Sequence, residues 1–368
     1  MNYIDKFRNG AIAKKLVADL EKSASRLNRQ ITLMEVCGSH TMAIYRHGIK
    51  ELVPQNIKLV SGPGCPVCVT PVGYIDTAIE IAQRDNVIIT TFGDMMRVPG
   101  TTSSLQTERG RGADVRVVYS PMDAIDIAKK NETSEVVFLG VGFETTAPTS
   151  AVAILTAERE DVKNFSVLTA CKTMPEPMIA LMDGELRIDG YICPAHVSAI
   201  IGEDGYKPIV NKKAVPCVIT GFEPLDILRG LRMLTDQVAE GRAEVENEYF
   251  RVVKPCGNKK AQDLLSTVYV KADAVWRGLG KIPNSGLAIS PAYEKFDAAK
   301  RFKVTVPEPI ENPACLCGDI LRGLKEPLDC PLFAKACDPE NPIGACMVSS
   351  EGTCAAEYRY GDWRHNDA

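Results

Sequence analysis

The chain has 368 residues, of which 45% are hydrophobic and 24% charged, and its formal net charge at pH 7 is −4. This length predicts two or three domains, and the composition is that of an ordinary globular protein. Charges of both signs are interspersed and no basic stripe stands out, which argues against a general nucleic-acid-binding protein.

The N-terminal sequence, MNYIDKFRNGAIAKKL, contains no apolar stretch followed by a cleavage site, and no apolar run in the chain is as long as a membrane span. We therefore expect a cytoplasmic protein without a signal peptide. The chain contains 13 cysteines. In a reducing compartment, these favour metal binding or redox chemistry over a static disulfide framework.

In chain order, the first predicted element is an amphipathic helix with Ile12, Leu16, Val17, Leu20 and Leu27 on one face. Short apolar segments that alternate with helical patterns follow it, and they predict parallel strands buried on both faces. These segments are 31–36, 57–60, 86–91, 115–119, 135–140, 165–170, 189–192 and 216–220. Their number favours two doubly wound, Rossmann-like α/β domains over one large sheet.

An amphipathic helix with a charged outer face is predicted from about residue 225 through Glu248. Beyond about residue 250 proline, glycine and cysteine become frequent and the regular alternation stops. We therefore predict three units. They are an N-terminal helix and first α/β domain over 1–140, a second α/β domain over 141–250, and a cysteine-rich C-terminal domain over 251–368.

Thiols, imidazoles and carboxylates follow the ends of several predicted strands, where open α/β sheets bind their ligands. The segments concerned are CGSH (37–40), GPGCPVC (62–68), FGD (92–94), GFETT (142–146), CK (171–172) and CPAH (193–196). Scattered core cysteines would explain one or two of these segments but not the whole set. The pattern therefore predicts a reactive site at this edge of the sheets.

Cys65-x-x-Cys68 is the sharpest local motif, because two thiols at this spacing form a reducible disulfide or half of a tetrahedral metal site. A redox or metal-handling use is favoured over a structural half-site. Cys37-x-x-His40 offers a thiol and an imidazole that could reach one metal, or His40 could activate the thiol. A buried thiol beside a hydrogen-bonded histidine explains this second motif equally well.

No Walker A loop, Rossmann glycine fingerprint or Gly-x-Ser-x-Gly elbow occurs, so nucleotide binding and serine hydrolysis have no support. Near the C-terminus, six cysteines fall in a stretch with few large apolar residues: Cys315, Cys317, Cys330, Cys337, Cys346 and Cys354. Disulfides, zinc or an iron–sulfur cluster are the devices that could hold such a stretch. Four cluster ligands plus a thiol pair are one division of the six, and a zinc site with two spare thiols is the alternative.

With these motifs in place, the sequence closely resembles the HypD family of NiFe-hydrogenase maturation factors over essentially its full length. The resemblance rests on CGSHTMAIYRHG (37–48), GPGCPVCVTP (62–71), TFGDMMRVPG (91–100), GFETTAPT (142–149), CPAHVSAIIG (193–202) and the C-terminal cysteines. It implies a scaffold on which the Fe(CN)2CO moiety of the hydrogenase active site is assembled, rather than a simple turnover enzyme. It also implies a complex with a HypC-type chaperone, cyanide supplied by HypE with HypF, and the hydrogenase large subunit as an indirect partner.

The resemblance also implies roles for the motif residues at the strand ends. Cys37 would be the iron-binding thiolate, shared with a cysteine of the chaperone, and His40 its second ligand or orienting base. Cys65 and Cys68 correspond to the family's redox-active pair, which faces the iron site. Both cysteines are therefore expected to belong to the iron site together with Cys37. Placed by strand-end position alone, Asp94, Glu144 and His196 are expected around this site, although helix capping explains them equally well.

For the C-terminal segment the resemblance implies a 4Fe-4S cluster like that of ferredoxin–thioredoxin reductase, and hence an iron–sulfur domain. The implied cluster ligands are Cys315, Cys330, Cys337 and Cys354, which leaves Cys317 and Cys346 as an accessory thiol pair. Two other classes of function remain open. One is a thiol–disulfide oxidoreductase whose cluster reduces Cys65–Cys68 for an external protein, and the other is a structural zinc-binding interaction module.

Overall fold

The computed structural model describes residues 8–361 and Trp363. Residues 1–7, 362 and 364–368, which the predicted terminal units include, lie outside the described residues. The strands are β1 (Ile31–Glu35), β2 (Ile57–Ser61), β3 (Val87–Thr91), β4 (Asp114–Val117), β5 (Glu135–Gly140), β6 (Phe165–Thr169), β7 (Gly190–Pro194), β8 (Cys217–Thr220), β9 (Val245–Asn247), β10 (Tyr269–Trp276) and β11 (Gly280–Ile289).

The helices that accompany the two sheets are α1 (Gly10–Ala24), α2 (Gly38–Arg46), α3 (Ile49–Leu52), α4 (Pro66–Val69), α5 (Val72–Ala82), α6 (Leu105–Gly110), α7 (Pro121–Lys130), α8 (Ala147–Arg159), α9 (Pro175–Leu181), α10 (Ala195–Ile201), α11 (Lys207–Lys213) and α12 (Pro224–Glu240). The later helices are α13 (Lys259–Val268), α14 (Ala298–Phe302), α15 (Cys317–Leu321), α16 (Ala345–Val348) and α17 (Thr353–Tyr360). Short 3-10 helices cover Gly93–Arg97, Glu203–Tyr206, Pro291–Phe296 and Pro327–Asp329. None of the helices in the described part of the chain is long and apolar enough to cross a membrane.

The strands form two parallel sheets and one separate hairpin. The first sheet has the order β2-β1-β7-β8-β9 and the second has the order β4-β3-β5-β6. β10 and β11 pair antiparallel, with a bulge between Ala272 and Ala274. Every strand predicted from the sequence is present in one of the parallel sheets, which confirms a mixed α/β fold consistent with Rossmann-like domains.

The two sheets divide the chain differently from the predicted units. β5 and β6 lie on either side of the predicted boundary at residue 140, yet they pair with each other. β1 and β2 share a sheet with β7, β8 and β9, so the second sheet is an insertion between β2 and β7. Apolar periodicity identifies strands but not their partners, and a boundary drawn along the chain cannot describe a discontinuous sheet.

The region between the second α/β unit and the cysteines also departs from prediction. α12 ends at Glu240, not Glu248, because Gly241 takes a left-handed conformation with φ of 66° that terminates the helix. The residues beyond it form β9 instead. The hairpin of β10 and β11 was not predicted, because charged and small residues interrupt the alternation along β10.

The cysteine-rich segment packs on the main core instead of forming a separate hydrophobic unit. Cys317, Cys346 and Met347 lie in one buried cluster with Met34 and Val60 from the first sheet. The neighbours of Cys346 along α16, Ala345 and Val348, belong to the cluster on the second sheet. α16 therefore lies between the two sheets, and their side chains supply the apolar surroundings that the segment itself lacks.

Candidate functional site

The candidate site lies at the carboxyl ends of the strands, where the strand order of each sheet reverses. In the first sheet the reversal falls between β1 and β7, which lead into Cys37 and His196. In the second sheet it falls between β3 and β5, which lead into Asp94 and Thr146. A cleft of about 490 Å³ at this edge is lined by Asp94, Thr146, Cys65 and Glu351, among others. Reversal points of this kind are where doubly wound sheets bind ligands.

Cys37 caps the N-terminus of α2 and is buried. Its backbone N–H donates to Oε2 of Glu35, with a distance of 2.9 Å between nitrogen and oxygen. Burial, together with the carboxylates of Glu351 and Glu35, raises the pKa of the Cys37 thiol to about 12. The thiol is therefore neutral near pH 7 and becomes a strong ligand only when a metal cation replaces its proton.

Two glycines allow the other parts of the site to approach Cys37 closely. A Cβ atom on Gly64 would lie 2.1 Å from the backbone nitrogen of Cys37, so the turn before the CxxC motif packs directly on that residue. A Cβ atom on Gly38 would lie 2.4 Å from Cβ of Glu351. The Gly38 N–H donates to the carbonyl oxygen of Gly64 at 3.1 Å. Only glycine permits these approaches.

His40 is fully buried, with Nε2 lying 2.9 Å from the carbonyl oxygen of Gly221 and 2.8 Å from Oγ1 of Thr220. Because a carbonyl oxygen can only accept, Nε2 carries the proton. Nδ1, which has no hydrogen-bond partner among the described residues, keeps a free lone pair. Burial lowers the pKa of His40 to about 4, so the ring is neutral near pH 7. A neutral imidazole with one fixed N–H and one free nitrogen is the form that binds metals.

Phe222 connects the two histidines of the site. Its ring centroid lies 4.7 Å from that of His40 and 4.2 Å from that of His196. Partial burial lowers the pKa of His196, and the carboxylate of Glu351 opposes this shift. His196 and Asp94, which were expected here because they follow strand ends, both lie in this region. Phe222 and Glu351 were not predicted. Phe222 is the second residue after β8 and so carried a usable signal, whereas Glu351 carried none.

The CxxC motif faces in two directions. Cys65 lines the cleft, and its Sγ accepts a hydrogen bond from the backbone N–H of Cys68 at 3.3 Å. Cys68 is fully buried, with its Sγ 3.8 Å from the carbonyl oxygen of Ala345. Burial, with the adjacent thiols of Cys346 and Cys65, raises the pKa of Cys68 well above its usual range. One thiol is thus presented to the cleft and the other to the C-terminal cysteines.

The six C-terminal cysteines are free thiols, and all of them belong to or pack against one buried cluster. The Sγ atoms of Cys317 and Cys346 lie 2.8 Å apart. Cys346 is also hydrogen-bonded to Cys354 and Cys68. A continuous row of thiols therefore connects the C-terminal segment to the CxxC motif.

The four cysteines assigned to a cluster by resemblance lie in the same region. The pKa of the Cys315 thiol is raised to about 12 by burial and by its neighbours, which include Cys317 and Cys330. Cys354 has Cys315 and Cys337 among the groups that raise its pKa. No group of three or more ligands is ready to hold a metal ion within the described residues. The donor set itself, soft thiols in a dry environment, fits the chemistry of an iron–sulfur cluster.

The unpredicted hairpin supports both thiol groups. Arg277 donates from its backbone N–H to the carbonyl oxygen of Val69 at 2.9 Å and from Nε to that of Thr70 at 3.0 Å. The buried guanidinium of Arg277 also acts to lower the pKa of Cys317, against the larger effects of Cys346 and burial. The turn therefore holds the end of the CxxC helix in contact with the start of α15.

Glu144 lies away from the cleft, in contrast to its expected place around the site. It lines a separate cavity of about 1130 Å³, and its Oε1 accepts a hydrogen bond from the backbone N–H of Met174 at 2.9 Å. Burial raises the pKa of Glu144 to about 7. The segment after β5 turns so that Thr146 lines the cleft and Glu144 does not. The position of a residue after a strand does not show which way its side chain faces.

Comparison with known proteins places these features in one family. The HypD family model, described as "Hydrogenase formation hypA family", matches residues 11–361. The hydrogenase maturation factor HypD of Azotobacter vinelandii is 49% identical over 372 residues, which cover 99% of this chain and 98% of that protein. The hydrogenase expression/formation protein HupD of Azotobacter chroococcum is 48% identical over 99% of this chain and 98% of its own length. HypD of Escherichia coli K12 is 44% identical over 98% of each chain.

Proposed function

This chain belongs to the HypD family of hydrogenase maturation factors, and on that premise we propose that it is the scaffold on which the Fe(CN)2CO moiety of a NiFe hydrogenase is assembled. Iron is the substrate and binds at Cys37, with a HypC-type chaperone as the partner that shares it. Cyanide comes through HypE with HypF. The observation that carries the proposal is the direct packing of the CxxC turn on Cys37 at the reversal point of the first sheet.

The surroundings of Cys37 support iron binding. Low-spin iron that carries cyanide and carbon monoxide favours soft thiolate ligands, and binding it would remove the proton that Cys37 otherwise retains. The free Nδ1 of His40 supports its role as a second ligand or as an orienting base. Glu351 acts on the Cys37 thiol through its charge, and His196 packs on Phe222. Both side chains would position incoming groups.

We assign the 4Fe-4S cluster to Cys315, Cys330, Cys337 and Cys354; when bound, it would supply single electrons. The contribution of the chain's own residues is the row of thiols from Cys317 through Cys346 and Cys68 to Cys65 at the cleft. This row would exchange electrons between the C-terminal segment and the iron site. We further propose a cytoplasmic location, because a chain with thirteen cysteines used for metal binding and redox chemistry suits a reducing compartment.

Infrared spectroscopy of anaerobic protein purified with its chaperone tests the proposal. Cyanide and carbonyl stretching bands are expected on the unchanged protein and are expected to vanish in Cys37→Ala. The matched control is Cys171→Ala, which removes another buried thiol, one that donates to the carbonyl oxygen of Gly140. Bands that persist in Cys37→Ala would contradict the iron assignment, and so would their loss in the control.

The contact of Cys68 with Cys346 favours a second candidate, a cluster-dependent thiol–disulfide oxidoreductase. Such a protein would reduce a disulfide of an external protein through Cys65 and would show no cyanide or carbonyl bands. The two candidates are separated by adding a disulfide-containing protein substrate to the reduced chain and measuring both thiol release and infrared bands. A colourless, zinc-loaded protein would instead support a structural zinc-binding module.

A further inference from the structure

A second cavity of about 1130 Å³ lies apart from the cleft, between α9, α13 and the hairpin of β10 and β11. We refer to it as the hairpin cavity. Its volume slightly exceeds that of sites for small organic ligands, which measure roughly 300–1000 Å³. None of the proposed iron, cluster or thiol residues lines it.

Most of the wall of the hairpin cavity is apolar. Its apolar lining includes Ile179 from α9, Ile201 at the end of α10, Leu265 from α13, and Ile282 and Leu287 from β11. All of these side chains are buried or half-buried. An apolar wall built from four separate elements favours a ligand with a hydrocarbon or aromatic body.

The carboxylates that line this cavity differ in whether they form an ion pair. Glu176 is ion-paired with Lys271 at 2.5 Å, and Asp204 is paired with Lys207 at 2.6 Å. Asp183 is likewise paired with Lys213. Glu144 has no such lysine or arginine partner within the described residues.

Glu144 is 3% exposed, and its Oε2 has no hydrogen-bond partner among the described atoms. A buried carboxylate without a partner is costly, and it is stabilised when a cation enters its surroundings. The lysines at the mouth, Lys271 and Lys212, are exposed. Their charges are therefore screened by solvent, and Lys271 lowers the pKa of Glu144 by less than the hydrogen bonds to that carboxylate do.

From these contacts we infer that the hairpin cavity is a binding site for a small organic cation, an amine or guanidine carried on an apolar body, with Glu144 as the counter-charge. The apolar walls take the body of the ligand and the carboxylate of Glu144 accepts its N–H groups. The raised pKa of Glu144 is consistent with this role, because an arriving cation favours the ionised form. This site is independent of iron assembly and extends beyond the function proposed above.

Calorimetric titration of the full-length protein with phenethylamine tests the inference. Phenethyl alcohol and hydrocinnamate serve as neutral and anionic counterparts with the same aromatic body. The amine is expected to bind at least tenfold more tightly than either counterpart. Glu144→Gln, which keeps the shape of the side chain, is expected to reduce amine affinity at least tenfold. The matched control is Glu176→Gln, a carboxylate on the same cavity that already has a lysine partner, and it should change the affinity less than threefold.

A variant that fills the cavity keeps the test decisive if Glu144→Gln folds poorly. Leu265→Trp, on the half-buried face of α13, should abolish amine binding and leave the circular dichroism spectrum unchanged. The inference is overturned if the alcohol binds as tightly as the amine. Equal amine affinity in Glu144→Gln and the unchanged protein would overturn it as well, as would undiminished binding in Leu265→Trp.

Discussion

The hydroxyl group of Ser39 donates a hydrogen bond to the carboxylate of Glu351, with Oγ and Oε1 2.6 Å apart, although the residues are 312 positions apart in the sequence. This bond ties the first turn of α2 to the C-terminal segment. Gly38, the residue before Ser39, leaves the space in which Glu351 packs, since a Cβ atom there would lie 2.7 Å from the backbone oxygen of Glu351. The position of Glu351 beside Cys37 therefore depends on a glycine in a distant part of the chain.

Replacing Gly38 by alanine should displace Glu351 and lower the free energy of unfolding by about 2–3 kcal/mol, the usual cost of overpacking. The infrared bands of bound cyanide and carbon monoxide should weaken in the same variant. Gly10→Ala is the matched control, because Gly10 also opens a helix and its Cβ would meet no atom within 4 Å. Urea unfolding of both variants measures the effect, and equal losses of stability would contradict the packing argument.

Much of this site was predictable from the sequence. The rest was not predictable, and the reason is physical. Cys37, Cys65 and His196 were predictable because they follow strands. Parallel strands place their carboxyl ends at one edge of the sheet whatever the order of the strands. The strand pairing was not predictable, since β1 and β7 are joined only in the folded chain. Glu351 lies in a loop with no periodic pattern, and its role depends on the empty space at Gly38.

Replacing Thr220 by valine should disturb His40 without changing the volume of the core. The change removes the hydroxyl that lies 2.8 Å from Nε2 of His40. We expect a loss of about 1 kcal/mol in unfolding free energy and reduced iron occupancy in infrared and metal analysis. Thr235→Val is the control, because Thr235 is equally buried and its hydroxyl donates only within α12. Unchanged iron occupancy in Thr220→Val would argue against a positioned His40 as ligand or base.

Mild oxidation of the metal-free protein should link Cys317 to Cys346, whose Sγ atoms are already 2.8 Å apart. Diamide accepts the two electrons and two protons that the thiols release as the S–S bond forms. Peptide mapping by mass spectrometry should find this link first and should lose it in Cys317→Ser. Cys171→Ser should leave it unchanged. A dominant link that contains Cys315 in place of Cys346 would reject the assignment of the accessory pair.

The stability of the protein should fall between pH 5 and pH 8 partly because of Glu144. Its pKa is about 7 in the folded chain and 4.5 as the reference value, so the folded state binds the proton more tightly. Stability from this group is present at low pH and is lost as the pH rises through 7. The expected contribution over that interval is about 2–3 kcal/mol.

Glu144→Gln, which cannot ionise, should lack that part of the pH dependence and lose less stability than the unchanged protein on going from pH 5 to pH 8. Urea unfolding at the two pH values measures both proteins under matched conditions. Burial also raises the pKa of Glu35 and of Glu248 to about 7. The unfolding free energy of both proteins is therefore expected to keep the part of its pH dependence that comes from these two residues. Parallel profiles for the two proteins would rule out a titrating Glu144.

The insertion of one sheet within the other has a consequence for biosynthesis. β1 lies between β2 and β7 in the first sheet, and β7 leaves the ribosome only after the whole second sheet has been made. Glu351 follows later still. The pocket around Cys37 therefore cannot exist on a nascent chain, and its contacts are among those of long sequence separation that form slowly. Until synthesis is complete, the exposed thiols of CGSH and CPVC would be able to bind free metal ions and to react with oxidants.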